Sequence, residues 1–171
     1  MILTKSELVA ALQNESRLLL HLAGKVDGAK LDYRPTPKQR STIELLKYLS
    51  IMGPRALQFV KAGVFDLEAW TAAERAAEAR DFEQTIAAIA THSAAYEALL
   101  ADVSDADFRS ELEGVGVKTT RGAFIVNYVL GDCAAYRMQL FLYLKASGRE
   151  ELTSWNLRAG VDAPPAAQAP S

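Results

Sequence analysis

Apolar residues recur in this chain at intervals of three and four in four separate stretches, and three of the four open on a recognisable helix-start signal. Leu8, Leu12, Leu19, Leu22 and Val26 form the first stripe, opened by Thr4 and Glu7 as a capping box in which hydroxyl and carboxylate satisfy orphan backbone donors. Ser41 and Glu44 repeat the box before the second stripe: Leu45, Tyr48, Leu49, Met52, Ala56 and Phe59. Gly53-Pro54 falls inside it and predicts a kink, because proline removes one backbone donor and crowds the preceding turn. Asp81 caps the third stripe, Phe82, Ile86, Ile89, Ser93, Tyr96, Leu100 and Val103. The last helix starts at Thr119 or Thr120 and ends at Gly148, a residue suited to a left-handed cap. Ile125, Tyr128, Val129, Asp132, Tyr136, Leu140 and Tyr143 share one of its faces, with Gln139 beside them.

The connections are uneven. Residues 26–40 form a loop broken by Pro35 and Pro37. Residues 63–80, with a short helix near Trp70, make a link too long for a simple hairpin, so the second and third helices need not be adjacent antiparallel neighbours. Residues 107–118 read as extended or irregular. A domain over 1–160 is followed by an Ala/Pro-rich segment, 161–171, with too little to bury to offset its chain entropy, and it is expected to be disordered. The simplest burial of four such stripes is an all-α four-helix bundle.

Composition narrows the function classes. Half the residues are apolar and glycine and proline are few, as helices require. Lys and Arg number 19 against 21 Asp and Glu, leaving no electrostatic footprint for nucleic acid or anionic lipid. No apolar run spans a bilayer, and the first residues lack the layout of a signal peptide. One cysteine, Cys133, allows neither an internal disulfide nor a zinc thiolate cluster. A cytoplasmic protein with neither nucleic-acid nor membrane partners is expected.

Polar residues that interrupt the stripes are the candidates for chemistry. Glu15 continues the three-four alternation of the first helix, His92 lies at the edge of the third stripe, and Tyr48 points inward from the second. With Asp132 and Tyr136 they can converge on the bundle axis in a water-containing ligand pocket, to which Tyr128 and Gln139 are adjacent. An isolated ionised carboxylate is too costly in an apolar interior, so Asp132 must be paired, hydrogen-bonded or protonated. The structural alternative makes Glu15 a rim residue, His92 a core histidine satisfied by a neighbour, and both tyrosines ordinary core aromatics.

The last helix carries a second stripe: Val126, Leu130, Cys133, Arg137, Phe141 and Leu144. Either a second copy covers it, with Arg137 at the margin, or the chain's own 63–80 link or its "TSWNLRAGVDA" segment does. Cys133 lies on this stripe, which favours an inert buried thiol over a nucleophile.

The stretch "LDYRPTPKQRSTIELLKYL" resembles the entry to the second helix of the DinB/YfiT-like superfamily, and "DCAAYRMQLFLYLKASG" resembles that superfamily's last-helix signature, His-x-x-His-His-Arg-Gly-Gln followed by a leucine- and tyrosine-rich run. The resemblance implies a four-helix bundle with a long link between helices two and three, commonly a homodimer. It also implies a divalent ion, zinc or nickel, held by three histidines, and in some relatives thiol-dependent transferase or isomerase activity. At the three matching positions this chain has Tyr48, Asp132 and Tyr136. Arg137 and Gln139 match, while Met138 replaces the glycine. No metal is therefore expected at these positions, and no cofactor; two phenols donating to Asp132 would replace the ion. A rewritten site of Glu15, His92 and Asp132 for zinc or nickel is the minority alternative.

Three functions are compatible with these residues. One is a dimeric bundle without the metal site that binds a small ligand or a partner. Another is a thiol-dependent transferase or isomerase with Asp132 as base and Tyr48 or Tyr136 as proton donor. The third is a purely structural polar cluster that fixes helix register.

Overall fold

The computed structural model describes residues 3–163. Most of the segment expected to be disordered, from 164 onward, lies outside the described residues. Nine short or long α-helices are present among them: α1 (Lys5–Ala23), α2 (Thr42–Ala62), α3 (Leu67–Glu78), α4 (Phe82–Ala90), α5 (His92–Leu100), α6 (Asp105–Arg109), α7 (Arg121–Phe124), α8 (Gly131–Ala146) and α9 (Ser154–Arg158). A π-helical stretch, Ile125–Leu130, joins α7 to α8, and a hairpin of β1 (Glu111–Gly114) and β2 (Val117–Thr120) precedes α7. No helix among the described residues is long and apolar enough to cross a membrane.

The caps fall where the residue types place them. Thr4 with Glu7 and Ser41 with Glu44 form complete capping boxes, and Asp81 forms one with Gln84. Thr120 caps the last helix by accepting from the Ala123 amide. The third long helix breaks at Thr91 instead of running unbroken. The Thr91 hydroxyl bonds back to the Ala88 carbonyl at 2.7 Å, a local bond that competes with the helical ladder. The stretch read as irregular after residue 107 resolves into the end of α6 and the hairpin, with Leu112 buried on its inner side.

Four long rods make the bundle: α1, α2, α4–α5, and α7–π–α8. Two apolar clusters fix their directions. One gathers Leu8, Leu12, Leu57, Val60, Tyr96, Leu100, Ile125 and Val129 beside the hairpin; the other gathers Leu19, Leu22, Leu45, Leu49, Ile89, Leu140 and Leu144 at the opposite end. It follows that α2 and α4–α5 run parallel, both ending near the hairpin. A parallel pair needs a return along the length of the bundle, and α3, packed on α2, makes it. That is why the link between the two is long. α1 and α2 each pack against the third and fourth rods, so they occupy opposite corners.

The C-terminal part of the last rod's second stripe is covered by the chain itself, while Val126 at its start is exposed. Leu144 packs with Leu152 and Leu157, and α9 lies on both α1 and α8. Arg17 donates to the Ala159 carbonyl, and Lys25 pairs with Asp162 at 2.6 Å, which anchors the chain to just beyond residue 160.

α2 passes through Pro54 without a break. Gly53 beside it is required sterically: a Cβ there would overlap the Tyr96 hydroxyl and lie 3.0 Å from Tyr96 Cζ. Tyr96 is fully buried and cannot yield. Gly53→Ala is therefore expected to cost about 2 kcal/mol in urea unfolding, as overpacking does. Tyr96→Phe in the same chain should recover part of that loss; no recovery would show the clash is not with the hydroxyl.

Candidate functional site

Between the two apolar clusters lies a polar layer at mid-bundle. It contains every polar residue that interrupts the stripes, but the residues do not meet on the axis. They are distributed around the perimeter, one set at each interface between rods.

At the interface of α1 with α8, Arg137 forks onto Glu15, Nε to Oε2 at 2.8 Å and Nη2 to Oε1 at 3.1 Å. Both side chains are mostly shielded, at 12% and 15% exposure, so the pair is worth more than a surface ion pair and would be costly to break on one side. Arg137 also donates to the Leu157 carbonyl, which pins α9. Glu15 is thus a partner of Arg137, not a member of a pocket with Asp132, and Arg137 faces inward instead of marking the edge of an outer face. Cys133 lies on the same flank. Burial, then the Glu15 and Asp132 carboxylates, push its thiol up to about 12, so it is an inert core group.

At the interface of α2 with α5, His92 is buried, and its Nε2–H donates to the Ser50 carbonyl at 3.0 Å. That carbonyl is the one Pro54 leaves without a partner, since residue 54 is four positions on and has no N–H. His92 therefore substitutes for a missing backbone donor. Its Nδ1 then accepts from the Tyr96 hydroxyl, 3.4 Å away. His92 is a core histidine satisfied by its neighbours, not a ligand facing a pocket. At the interface of α1 with α5, Gln13 donates to the Ser93 carbonyl at 3.1 Å.

The remaining interface, α2 with α8, holds the three positions of interest. The Tyr48 and Tyr136 rings meet edge to face, centroids 5.2 Å apart. Burial, and next the adjacent Tyr136 phenol, raise the Tyr48 hydroxyl above its ordinary value, so it stays protonated. The Arg40 guanidinium lies over the Tyr48 ring at 4.1 Å, and Trp70 of α3 adds an edge contact at 6.5 Å. Gln139 takes no part in the site directly. It donates to the Tyr143 hydroxyl at 2.6 Å, which donates to the Arg40 carbonyl at 3.1 Å, so Gln139 and Tyr143 hold the backbone that presents Arg40. Arg40 and Trp70 were not legible as site residues: one sits in a loop and the other in a link, and only the packing brings them to Tyr48. A groove of about 520 Å3 opens beside Tyr48, lined by Arg40, Lys47, Glu74 and Glu78 among others.

Asp132 is half-buried, one turn before Tyr136. Burial alone raises its carboxyl above the usual range. The expected bonds from the two phenols are absent: among the described residues no side chain donates to it. The π-helical stretch explains the position. The Gly131 amide reaches five residues back to Val126 as well as to Tyr128, which adds a residue to the turn. Everything after it is rotated by about 100° relative to an uninterrupted α-helix. Cys133 accordingly turns toward Glu15 and Tyr96, and Asp132 lies on the α2 flank near Tyr48. Tyr128 remains at the rim, 41% exposed and stacked on Phe124.

No three residues of His, Cys, Asp or Glu gather as a ligand set among the described residues. The donor set at the three positions, two phenols and one carboxylate, does not fit zinc or nickel, which favour imidazole and thiolate.

A solved structure of a DinB-like protein from Bacillus subtilis superposes with a TM-score of 0.67 over 88% of this chain and 98% of that one, at 18% sequence identity. The chain therefore has that protein's fold. No family model matches the sequence, and no curated protein does.

His92→Leu is expected to cost about 2 kcal/mol by leaving the Ser50 carbonyl unpaired, and Pro54→Ala in the same chain should recover most of it by restoring the backbone donor. Chemical unfolding of the two single variants and the double would show it; additive losses would count against the pairing. Burial also lowers the His92 pKa below 6.5. The unfolded chain then binds a proton that the folded chain refuses, so stability is complete above this value and falls as pH drops below it. Unfolding midpoints measured down to about pH 5 should fall more steeply in the unaltered protein than in His92→Leu.

Proposed function

We propose that this chain is a DinB-like bundle without the three-histidine metal centre, and that it binds a small ligand beside Tyr48, Asp132 and Tyr136. One observation carries the reading: a half-buried carboxylate, to which no side chain donates among the described residues, stands one turn from the packed Tyr48–Tyr136 pair. Such an arrangement has hydrogen-bonding capacity left for a guest and a poor donor set for a first-row divalent ion. The Tyr48 and Tyr136 rings supply apolar contact, and a solvent-open groove reaches Tyr48 and Arg40. The site carries no activated nucleophile, since the Cys133 thiol is held protonated.

Association of two copies belongs to this reading as well. The expected face cannot serve whole, because Leu144 and Cys133 lie against α1 and α9. The apolar side chains left exposed on the last rod are Val126, Tyr128, Met138 and Leu142.

The test is elemental analysis of untagged protein purified without chelator, followed by calorimetric titration with zinc and nickel. Less than a tenth of an equivalent of either metal per chain, roughly, and no saturable site are the expected results. One equivalent that disappears in Asp132→Asn would overturn the proposal.

A further inference from the structure

We propose that this chain carries a second binding site, on the opposite flank of α3 from Tyr48, which takes a phosphate monoester between Arg55 and Arg80. The site stands apart from the one beside Tyr48 and shares none of its polar groups.

Both α3 and the α4–α5 rod pack against α2. Between them, over α2, runs a groove of about 390 Å3. Ala72, Ala73 and Ala76 of α3 border it on one side, and Ala88 of α4 and Ala95 of α5 on the other. Methyl groups are too short to meet across it, so the trough stays open. Arg55 of α2 and Arg80, just beyond α3, border the same groove, and no carboxylate does. His92 behind it spends both ring nitrogens on Ser50 and Tyr96 and offers a guest nothing.

Each guanidinium is steadied by one neutral bond. Arg80 Nη1 donates to Ser50 Oγ at 2.8 Å, and that hydroxyl donates to the Lys47 carbonyl at 2.7 Å. Arg55 Nη1 donates to Gln58 Oε1 at 2.9 Å. Both arginines are half-buried, and neither pairs with a carboxylate among the described residues. Asp66 borders a smaller cavity together with Arg55, but its carboxylate accepts from the Ala69 amide at 2.8 Å. The remaining nitrogens of the two guanidiniums are not sealed from solvent. Arg137 is the contrast, since its fork is spent on Glu15. Ser50, which holds Arg80, stands five residues before Arg55 on α2, about 7.5 Å along the axis. Two arginine side chains can converge on one group over such a span.

The charge of the groove selects an anion, because two cations without a counterion raise the potential there. The number of donors selects the class. A carboxylate has two oxygens and one charge, and a single guanidinium fork satisfies it. A phosphate monoester has three terminal oxygens and a charge near −2, so forks from two different elements can engage it at once. The alanine trough then receives the apolar body of the ester.

The experiment titrates full-length, untagged protein with phenyl phosphate and with benzoate by calorimetry, at low ionic strength and in a buffer free of phosphate. Phenyl phosphate should bind at one per chain and at least about tenfold more tightly than benzoate. Arg55→Gln and Arg80→Gln should each weaken it about tenfold, whereas Arg75→Gln, on α3 but outside the groove, should leave it unchanged. Unfolding midpoints of the variants check that each is folded. Should Arg80→Gln fail to fold through loss of its bond to Ser50, Arg55→Gln against Arg75→Gln decides. No saturable heat at millimolar phenyl phosphate would overturn the proposal, and so would equal weakening by Arg75→Gln, the mark of a diffuse surface attraction. Benzoate binding as tightly as phenyl phosphate would overturn the assignment to phosphate.

Discussion

The bond from His92 to the Ser50 carbonyl allows a proline to stand in the middle of a continuous core helix. Without it, Pro54 would leave a buried carbonyl unpaired, a defect worth about 1–3 kcal/mol. The same histidine orders the Tyr96 hydroxyl, and Tyr96 in turn requires that residue 53 have no side chain. A glycine and a proline in α2, and a histidine and a tyrosine in α5, are therefore one device. It locks two parallel helices at a fixed height, and that height sets where Tyr48 of α2 meets α8.

The polar residues that interrupt the helix stripes lie in one layer at mid-bundle, and each interface between rods resolves its own. Glu15 and Arg137 neutralise one another, His92 supplies a backbone donor, and Gln13 reaches a carbonyl. Every one of these sets is closed on itself. Asp132 differs: among the described residues no side chain donates to it, so its half-buried carboxylate keeps hydrogen-bonding capacity, and that is the physical basis for placing the proposed site there.

The fold is shared with a DinB-like protein, but a shared fold decides little about chemistry, which belongs to the side chains mounted on it. Here two tyrosines and an aspartate stand where α2 meets α8, and a π-helical turn precedes Asp132 and Tyr136 on the last rod. Stretches of this kind are frequent at functional sites, because one extra residue re-aims a side chain without disturbing the helix on either side.

Helix existence and most helix starts were legible from residue order alone, because capping and three-four periodicity are local: Thr4, Ser41, Asp81 and Thr120 each act within one turn. The bundle, its long second link and the height of its polar layer followed from the same spacing. Which polar residue pairs with which did not. Glu15 meets Arg137 across 122 residues, and His92 meets Ser50 across 42, so neither partner is specified by any local pattern. The phase of the last rod was legible only in part. A periodicity argument assumes 3.6 residues per turn, and with one π-helical turn within Ile125–Leu130 the buried face broadens: Leu140 and Tyr143 lie in the core as their stripe predicts, and Leu144 of the opposite stripe joins them. The sequence by itself determined that acids, phenols and a histidine lie at one level of a helical bundle. Tertiary packing alone decided that Glu15 would pair with Arg137 while Asp132 receives no side-chain donor among the described residues, since pairing at such distances depends on how the rods are rotated against each other.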